Sequence, residues 1–131
     1  MYLLDTNTVS LALRGRAPRV VDRLRETARR DVAVSVVTAV ELRFGLAKNP
    51  STRARDVIEE FLDTITVLAV DRAVERPYGD IRAALERSGR PMGALDTIIA
   101  AHALAVRAVL VTNNVREFRR VRGLRCEDWT G

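Results

Sequence analysis

The chain has 131 residues, of which 47% are hydrophobic and 30% charged, a composition typical of one folded domain and not of disordered or membrane proteins. One Cys and one His exclude an intramolecular disulfide and a zinc site of the usual four-ligand kind. No apolar run approaches the ~18 residues of a membrane span. We therefore expect a single cytoplasmic domain over residues 1–131.

The net charge is +5, from 22 basic and 17 acidic residues. Nearly all of the positive charge is Arg, because Lys48 is the one Lys, and the Arg residues are concentrated in segments 14–30 and 116–125. A basic protein favours polyanionic partners through counterion release. A solvated, Arg-rich helix surface explains the same pattern equally well, so charge alone leaves the partner open.

Short apolar segments alternate with amphipathic ones along the chain. We predict strands at residues 2–4, 32–34, 67–70 and 109–111, each apolar enough to be covered on both faces. The segments between them have helical spacing, with predicted helices starting near residues 18, 38, 51, 71, 95 and 115. Strands joined by helices imply right-handed crossovers. The pattern predicts an α/β fold with a mostly parallel sheet and helices on both faces.

In such folds, ligands gather at the carboxyl ends of the strands. Several polar residues stand just past a predicted strand or near the start of a helix: Asp5, Asn7, Glu41, Asp96, Thr112 and Asn114. Each has an ordinary explanation as a helix cap. For example, Thr38 and Glu41 fit a capping box, and Asp96 stands where an N-cap is expected.

Helix capping explains each acid singly, but it does not explain why three of them stand in such positions. If Asp5, Glu41 and Asp96 converge to ~5 Å, each pair repels by about 3 kcal/mol at an effective dielectric near 20. A proton, an arginine or a divalent cation must offset that repulsion. A cluster of oxygen ligands without His or Cys suits Mg²⁺ or Mn²⁺. An acidic metal site on a basic protein is typical of a metal-dependent phosphodiesterase.

Three other residues have simpler interpretations. His102 lies within an apolar helix, and we predict a packed residue there rather than a base. Cys126 has no nearby His, which argues against a nucleophile. Trp129 is expected to pack the C-terminus against the core.

Several segments resemble PIN-domain ribonucleases, in the order found in that family. The opening motifs are LLDTN and SVVTAVEL, at residues 3–7 and 35–42. Further segments resemble the VapC toxin branch: residues 89–103, 111–118, 123–124 and 127–129. The resemblance therefore covers essentially the whole chain.

The resemblance implies a three-layer α/β/α sandwich in which Asp5, Glu41 and Asp96 hold Mg²⁺ or Mn²⁺. It also implies that metal-activated water attacks phosphorus in line and leaves a 5′-phosphate and a 3′-hydroxyl. Thr112 and Asn7 would position the water or the metal. Many PIN domains have a fourth acid where this chain has Asn114, whose amide adds no charge to support a second metal.

The resemblance further implies a VapB-type antitoxin that inserts an Arg into the acidic site, and a homodimer. The implied substrate is structured RNA, particularly a tRNA cut in its anticodon loop. Two alternatives remain open at this point. The chain could be a PIN module that binds RNA or antitoxin without cutting, or a PIN nuclease directed at DNA.

Overall fold

A computed structural model describes residues 1–131 as five strands and seven α-helices. In chain order the elements are β1 Tyr2–Leu4, α1 Thr6–Leu13, α2 Pro18–Glu26, β2 Val32–Ser35, α3 Val36–Lys48, α4 Thr52–Thr64, β3 Thr66–Leu68, α5 Glu75–Arg87, α6 Ala94–Ala105, β4 Val109–Val111, α7 Val115–Phe118 and β5 Cys126–Glu127. All neighbouring strands pair in parallel, in the order β3-β2-β1-β4-β5. The predicted α/β class is confirmed, with a sheet that is entirely parallel.

Helices cover both faces of the sheet, because side chains alternate between the faces along each strand. On β1, Leu3 packs into a core with residues of α5, α6 and α7, whereas Leu4 packs into a second core with residues of α1, α2, α3 and α4. Both leucines are fully buried. Burial on both faces explains the uninterrupted apolar strands of the sequence, and it gives the expected three-layer α/β/α sandwich.

Two helices start slightly before their predicted positions, α3 by two residues and α6 by one. Helix α3 begins at Val36, and its N-cap is Ser35, whose Oγ accepts the Val37 N–H at 3.1 Å. Thr38 is therefore inside the helix, and the predicted Thr38–Glu41 capping box does not form. Helix α6 begins at Ala94 with Gly93 as its N-cap. In both cases the chain turns into the helix as soon as it leaves the strand or loop, earlier than the apolar periodicity indicated.

Strand β3 also differs from its prediction, since it covers Thr66–Leu68 and not residues 67–70. This edge strand is mostly exposed, so its position is set by pairing with β2 and not by a continuous apolar run. Asp71 was predicted to cap a helix, and it caps the single 3₁₀ turn Arg72–Val74 that leads into α5. No helix of the structure combines the length and apolar character needed to cross a bilayer.

Candidate active site

Asp5 is the first residue after β1, at the carboxyl end of the sheet. It is 4% exposed, and it caps α1 by accepting the Thr8 N–H at 2.9 Å. Burial raises the pKa of the Asp5 carboxyl, and hydrogen bonds from the Thr112 side chain and Thr8 oppose that rise. Asp5 therefore does serve as the N-cap of α1. The raised pKa nevertheless indicates that the fold holds this carboxylate where its charge is unfavourable.

Glu41 projects from α3 toward the start of α1. Thr6 Oγ1 donates a hydrogen bond to Glu41 Oε1 at 2.6 Å, and the Thr6 and Thr38 hydroxyl oxygens are 3.0 Å apart. Because Thr6 donates to the carboxylate, the fully buried Thr38 is the donor between the two hydroxyls. This chain of hydrogen bonds fixes the orientation of Glu41 beside the residue that follows Asp5.

Asp96 lies in the first turn of α6 and makes no capping hydrogen bond. The predicted N-cap role is therefore wrong, because Gly93 occupies that position. The pKa of Asp96 is raised, first by partial burial of its carboxyl group and then by the negative charges of Asp5, Glu41 and Glu117. Two of the acids singled out in the sequence, Asp5 and Glu41, thus act electrostatically on the third, Asp96, at the same edge of the sheet.

Glu117, in α7, is the acid that sequence reasoning missed. Its charge acts on Asp96, and its carboxylate also pairs with Arg120. The available signal was its position in the first turn of the helix that follows Asn114. Asn114 itself lacks a charge, whereas Glu117 acts on Asp96 and Asp128 acts on Asp5 as further negative charges at this edge.

The amide and hydroxyl residues surround the acids. The buried Thr112 side chain lowers the pKa of Asp5, and its Oγ1 accepts the Asn114 N–H at 2.9 Å. The Asn7 Nδ2 donates to Asn113 Oδ1 at 2.9 Å. Asn114 is exposed at the N-cap of α7 and makes no side-chain capping bond. These contacts join the ends of β1 and β4 into one surface, and the Asn114 amide takes part in none of them.

The donor chemistry of this edge fits a hard divalent cation. Every candidate ligand is a carboxylate oxygen. Burial raises the pKa of Asp5 and Asp96, nearby negative charges raise that of Asp96 further, and a cation would offset both costs. No group of three or more His, Cys, Asp or Glu side chains is already arranged to hold a metal ion. The acids are therefore near one another without converging on a single point.

A second buried polar group lies at the end of β2. His102 is 2% exposed, and its Nδ1 is 2.9 Å from Ser35 Oγ. Burial lowers the His102 pKa, while the charge of Asp71 and a hydrogen bond to the Ala69 backbone partly oppose that change. The imidazole is therefore a neutral, packed residue, as the sequence predicted. Trp129 is likewise buried, with Tyr2 at its edge and Arg23 over its ring.

Fold and site together define a parallel α/β protein with an acidic site at the carboxyl ends of its strands. The family model that matches this chain is the PIN domain, over residues 2–124. The chain is 41% identical to the tRNA(fMet)-specific endonuclease VapC of Shigella flexneri, over 98% of each chain. It is 38% identical to ribonuclease VapC2 of Haemophilus influenzae, over 98% of this chain and 97% of the relative.

Solved structures give the same result. DNA-bound VapBC from Salmonella typhimurium matches with a TM-score of 0.91 at 36% identity, covering 98% of this chain and 97% of that one. VapBC2 from Rickettsia felis, bound to a promoter DNA fragment, matches with a TM-score of 0.91 at 31% identity, covering 98% of each chain. The chain belongs to the PIN-domain family, in its VapC branch.

Proposed function

We propose that this protein is a metal-dependent endoribonuclease that hydrolyses phosphodiester bonds in structured RNA. The observation that carries the proposal is that Asp5 and Glu41 act electrostatically on Asp96 at one end of a parallel sheet, in a protein of net charge +5. The VapC relatives are named as ribonucleases and endonucleases. An acidic edge on a basic protein suits a polyanionic substrate whose reacting phosphate must approach through a cation.

Asp5, Glu41 and Asp96 would hold Mg²⁺ or Mn²⁺. When bound, such an ion lowers the pKa of water and offsets charge on the phosphoryl oxygens. The protein's own residues prepare the site, because the Thr8 N–H fixes Asp5 and the Thr6 hydroxyl fixes Glu41.

The amide and hydroxyl groups beside the acids would orient the reactants. Thr112 holds the backbone of Asn114, so it keeps the Asn114 amide at the edge where a water or phosphate oxygen would lie. Asn7 is tied to Asn113, and we propose that it positions this loop together with any water bound there. Neither amide adds charge, so the charge that acts on a cation or substrate comes from the carboxylates.

We propose tRNA as the substrate. The relative from Shigella flexneri, like a Salmonella typhimurium protein 37% identical to this chain, is named as specific for tRNA(fMet). The splayed bases of an RNA loop can be read individually, unlike those inside the deep groove of an A-form helix. Such a substrate places the protein in the cytoplasm.

We further propose a VapB-type antitoxin as the protein partner. The similar solved structures include VapBC complexes. Helix α3 presents three exposed apolar side chains at four-residue spacing, Val36, Val40 and Phe44, and Phe44 is 66% exposed. This stripe begins beside the acidic edge and lies on the helix that holds Glu41. An apolar antitoxin segment on the stripe would bring an Arg within reach of the carboxylates, where a guanidinium can replace the cation.

A homodimer is also part of the proposal. Two copies would place two acidic sites in one basic groove, as the resemblance to VapC implies. Light scattering on the antitoxin-free protein tests this directly. A mass near twice 14.6 kDa supports the dimer, and a mass of one chain at micromolar concentration contradicts it.

The nuclease proposal is tested with purified, antitoxin-free protein and total tRNA in Mg²⁺, Mn²⁺ or EDTA. We expect discrete fragments in either metal, and none in EDTA or with D96N. D56N removes an exposed acid of α4 that forms no ion pair, so it should cleave like the wild type. If tRNA stays intact in every reaction, the proposal that tRNA is the substrate is wrong. Cleavage of a single-stranded DNA in preference to RNA supports the DNA-directed alternative. Binding of tRNA without any cleavage supports the binding module.

A further inference from the structure

An open groove of about 810 Å³ lies on the α5 face of the molecule. Helix α5 forms one wall, and residues 120–123 form the other. Leu104 of α6 lies between the walls, together with Ile81 and Leu85 of α5. The groove is separate from the carboxylates of the candidate active site, since none of them lines it.

Four arginines line this groove, and three of them have no partner within the chain. Arg76, Arg87 and Arg122 are exposed, and they take part in none of the ion pairs or side-chain hydrogen bonds of the structure. Elsewhere on α5 the situation differs, because Arg82 is paired with Glu86 and also donates to Tyr78 Oη. Asp80 is the one acid that lines the groove. The groove therefore keeps an excess of uncompensated guanidinium groups.

The spacing of these arginines suits an extended anion. Arg76 and Arg87 are eleven residues apart, which is close to three full helical turns, so both project from the same side of α5 about 16 Å apart along its axis. Arg122 faces them from the opposite wall. A guanidinium binds phosphate oxygens through a fork of two parallel hydrogen bonds. The row is thus long enough to contact several successive phosphates of one nucleic-acid strand.

The fourth arginine links the groove to the acidic edge. Arg120 forms an ion pair with Glu117 and also donates to the backbone oxygen of Arg90. Glu117 acts electrostatically on Asp96, and Arg90 belongs to the loop that joins α5 to α6. One end of the groove therefore lies next to the candidate active site, within a network that fixes both walls.

We propose that this groove binds the sugar–phosphate backbone of the RNA substrate, on a segment flanking the bond that is cut. The inference rests on the proposed ribonuclease function and assigns Arg76, Arg87 and Arg122 to substrate binding. An acidic peptide is the competing occupant. The length of the row, and the link from Arg120 through Glu117 to Asp96, favour a polynucleotide that continues from the groove into the site.

The test measures RNA binding without cleavage. Anisotropy of a fluorescein-labelled oligouridylate is recorded in EDTA, between roughly 50 and 200 mM KCl, for the wild type and for the triple variant R76Q/R87Q/R122Q. The matched control is R16Q/R25Q/R53Q, which removes the same charge from exposed, unpaired arginines elsewhere on the surface. Thermal unfolding of each variant verifies folding.

We expect the groove variant to bind at least tenfold more weakly than the wild type at the lower salt concentration. Its plot of log affinity against log salt should be shallower by about 2, since each lost phosphate contact on a single strand contributes about 0.7. The control should change less in both respects. Equal losses in the two variants, or an unchanged groove variant, would overturn the proposal.

Two further outcomes separate this proposal from its alternatives. If the groove variant keeps RNA binding but loses a labelled poly-glutamate peptide that the wild type binds, the groove takes an acidic peptide and the RNA assignment is wrong. If the wild type cleaves no RNA but the groove variant still shows the expected selective binding loss, the nuclease proposal fails while the groove stands. If wild type and groove variant cleave and bind alike, the groove assignment alone fails.

Discussion

Two neighbouring strands end in polar groups of opposite character. Asp5 follows β1, and Ser35 ends β2. Asp5 shares its surroundings with the like charge of Asp96, and the pKa of both carboxyls is raised. Ser35 Oγ, by contrast, accepts a backbone N–H and contacts His102, whose pKa is lowered because it is buried in the neutral form.

The difference separates a structural polar group from a functional one. A buried polar group serves the fold when each of its donors and acceptors has a partner, as in the Ser35–His102 pair. Repelling carboxylates at a surface edge lower stability, and a ligand of opposite charge explains why a protein keeps them. Both groups stand at the carboxyl ends of strands, so position alone does not distinguish them.

The largest expected effect is on catalysis. Glu41→Gln removes one charge from the acidic edge but keeps an acceptor for the Thr6 hydroxyl, so the fold should survive. We expect cleavage to fall on the order of 100-fold or more, the size of losing one preorganised electrostatic contact. His102→Gln, the control, should cleave within a few-fold of the wild type in an initial-rate assay. If His102→Gln lost more activity than Glu41→Gln, the assignment of Glu41 to catalysis and of His102 to the fold would be wrong.

The next effect is on stability. His102→Ala leaves a cavity, and it leaves Ser35 and the Ala69 backbone without their partner. We expect the free energy of unfolding to fall by about 3 kcal/mol. His102→Gln retains a donor and an acceptor and should lose less. Urea denaturation at neutral pH measures both values, and a loss below about 1 kcal/mol in the alanine variant would contradict the structural role.

The sequence predicted the fold well because its signals are local. The strands at residues 2–4 and 109–111 are apolar throughout, and burial on both faces demands that pattern. The start of α3 was misplaced because Ser35 serves both as the last residue of β2 and as a helix cap. The edge strand β3 was misplaced because it is mostly exposed and has no continuous apolar signal.

The site was predicted only in part, because it depends on contacts between distant segments. Asp5, Glu41 and Asp96 were singled out from their positions just past a strand or near the start of a helix, and from the family resemblance. The contact between Thr6 and Glu41 joins residues 35 positions apart, and no local pattern encodes it. Glu117 was missed for the same reason, since its relation to Asp96 is set by how α7 packs beside α6.

A smaller effect concerns pH. The folded pKa of His102 lies below its ordinary value of 6.5, so between the two values the unfolded chain binds a proton that the native protein does not. Stability should therefore decrease as the pH falls below about 6.5, with a slope of at most about 1.4 kcal/mol per pH unit. Denaturation midpoints compared at about pH 7.5 and pH 5.5 should reveal a decrease that His102→Gln lacks.

The smallest expected effect is a stabilisation by Asp96→Asn in EDTA. The raised pKa means that the native state binds protons more readily than the unfolded chain, so the charged form of Asp96 disfavours folding at neutral pH. The gain should be a rise of about 1–3 °C in melting temperature, because the group is partly solvated and its repulsion is screened. Asp56→Asn should leave the melting temperature unchanged.

The pH dependence of that gain shows whether it comes from the charge of Asp96. The cost of burying the carboxylate and its repulsion by the other acids both require the ionised form, so the advantage of Asp96→Asn should be complete above the folded pKa of Asp96 and vanish below its ordinary value of 3.8. Mg²⁺ should reverse the order at neutral pH, because an ion held by the wild-type carboxylates stabilises the native state and the amide weakens its binding. An advantage that persists in acid, or that Mg²⁺ does not change, would mean that Asn stabilises α6 itself and that the charge of Asp96 is not the cause.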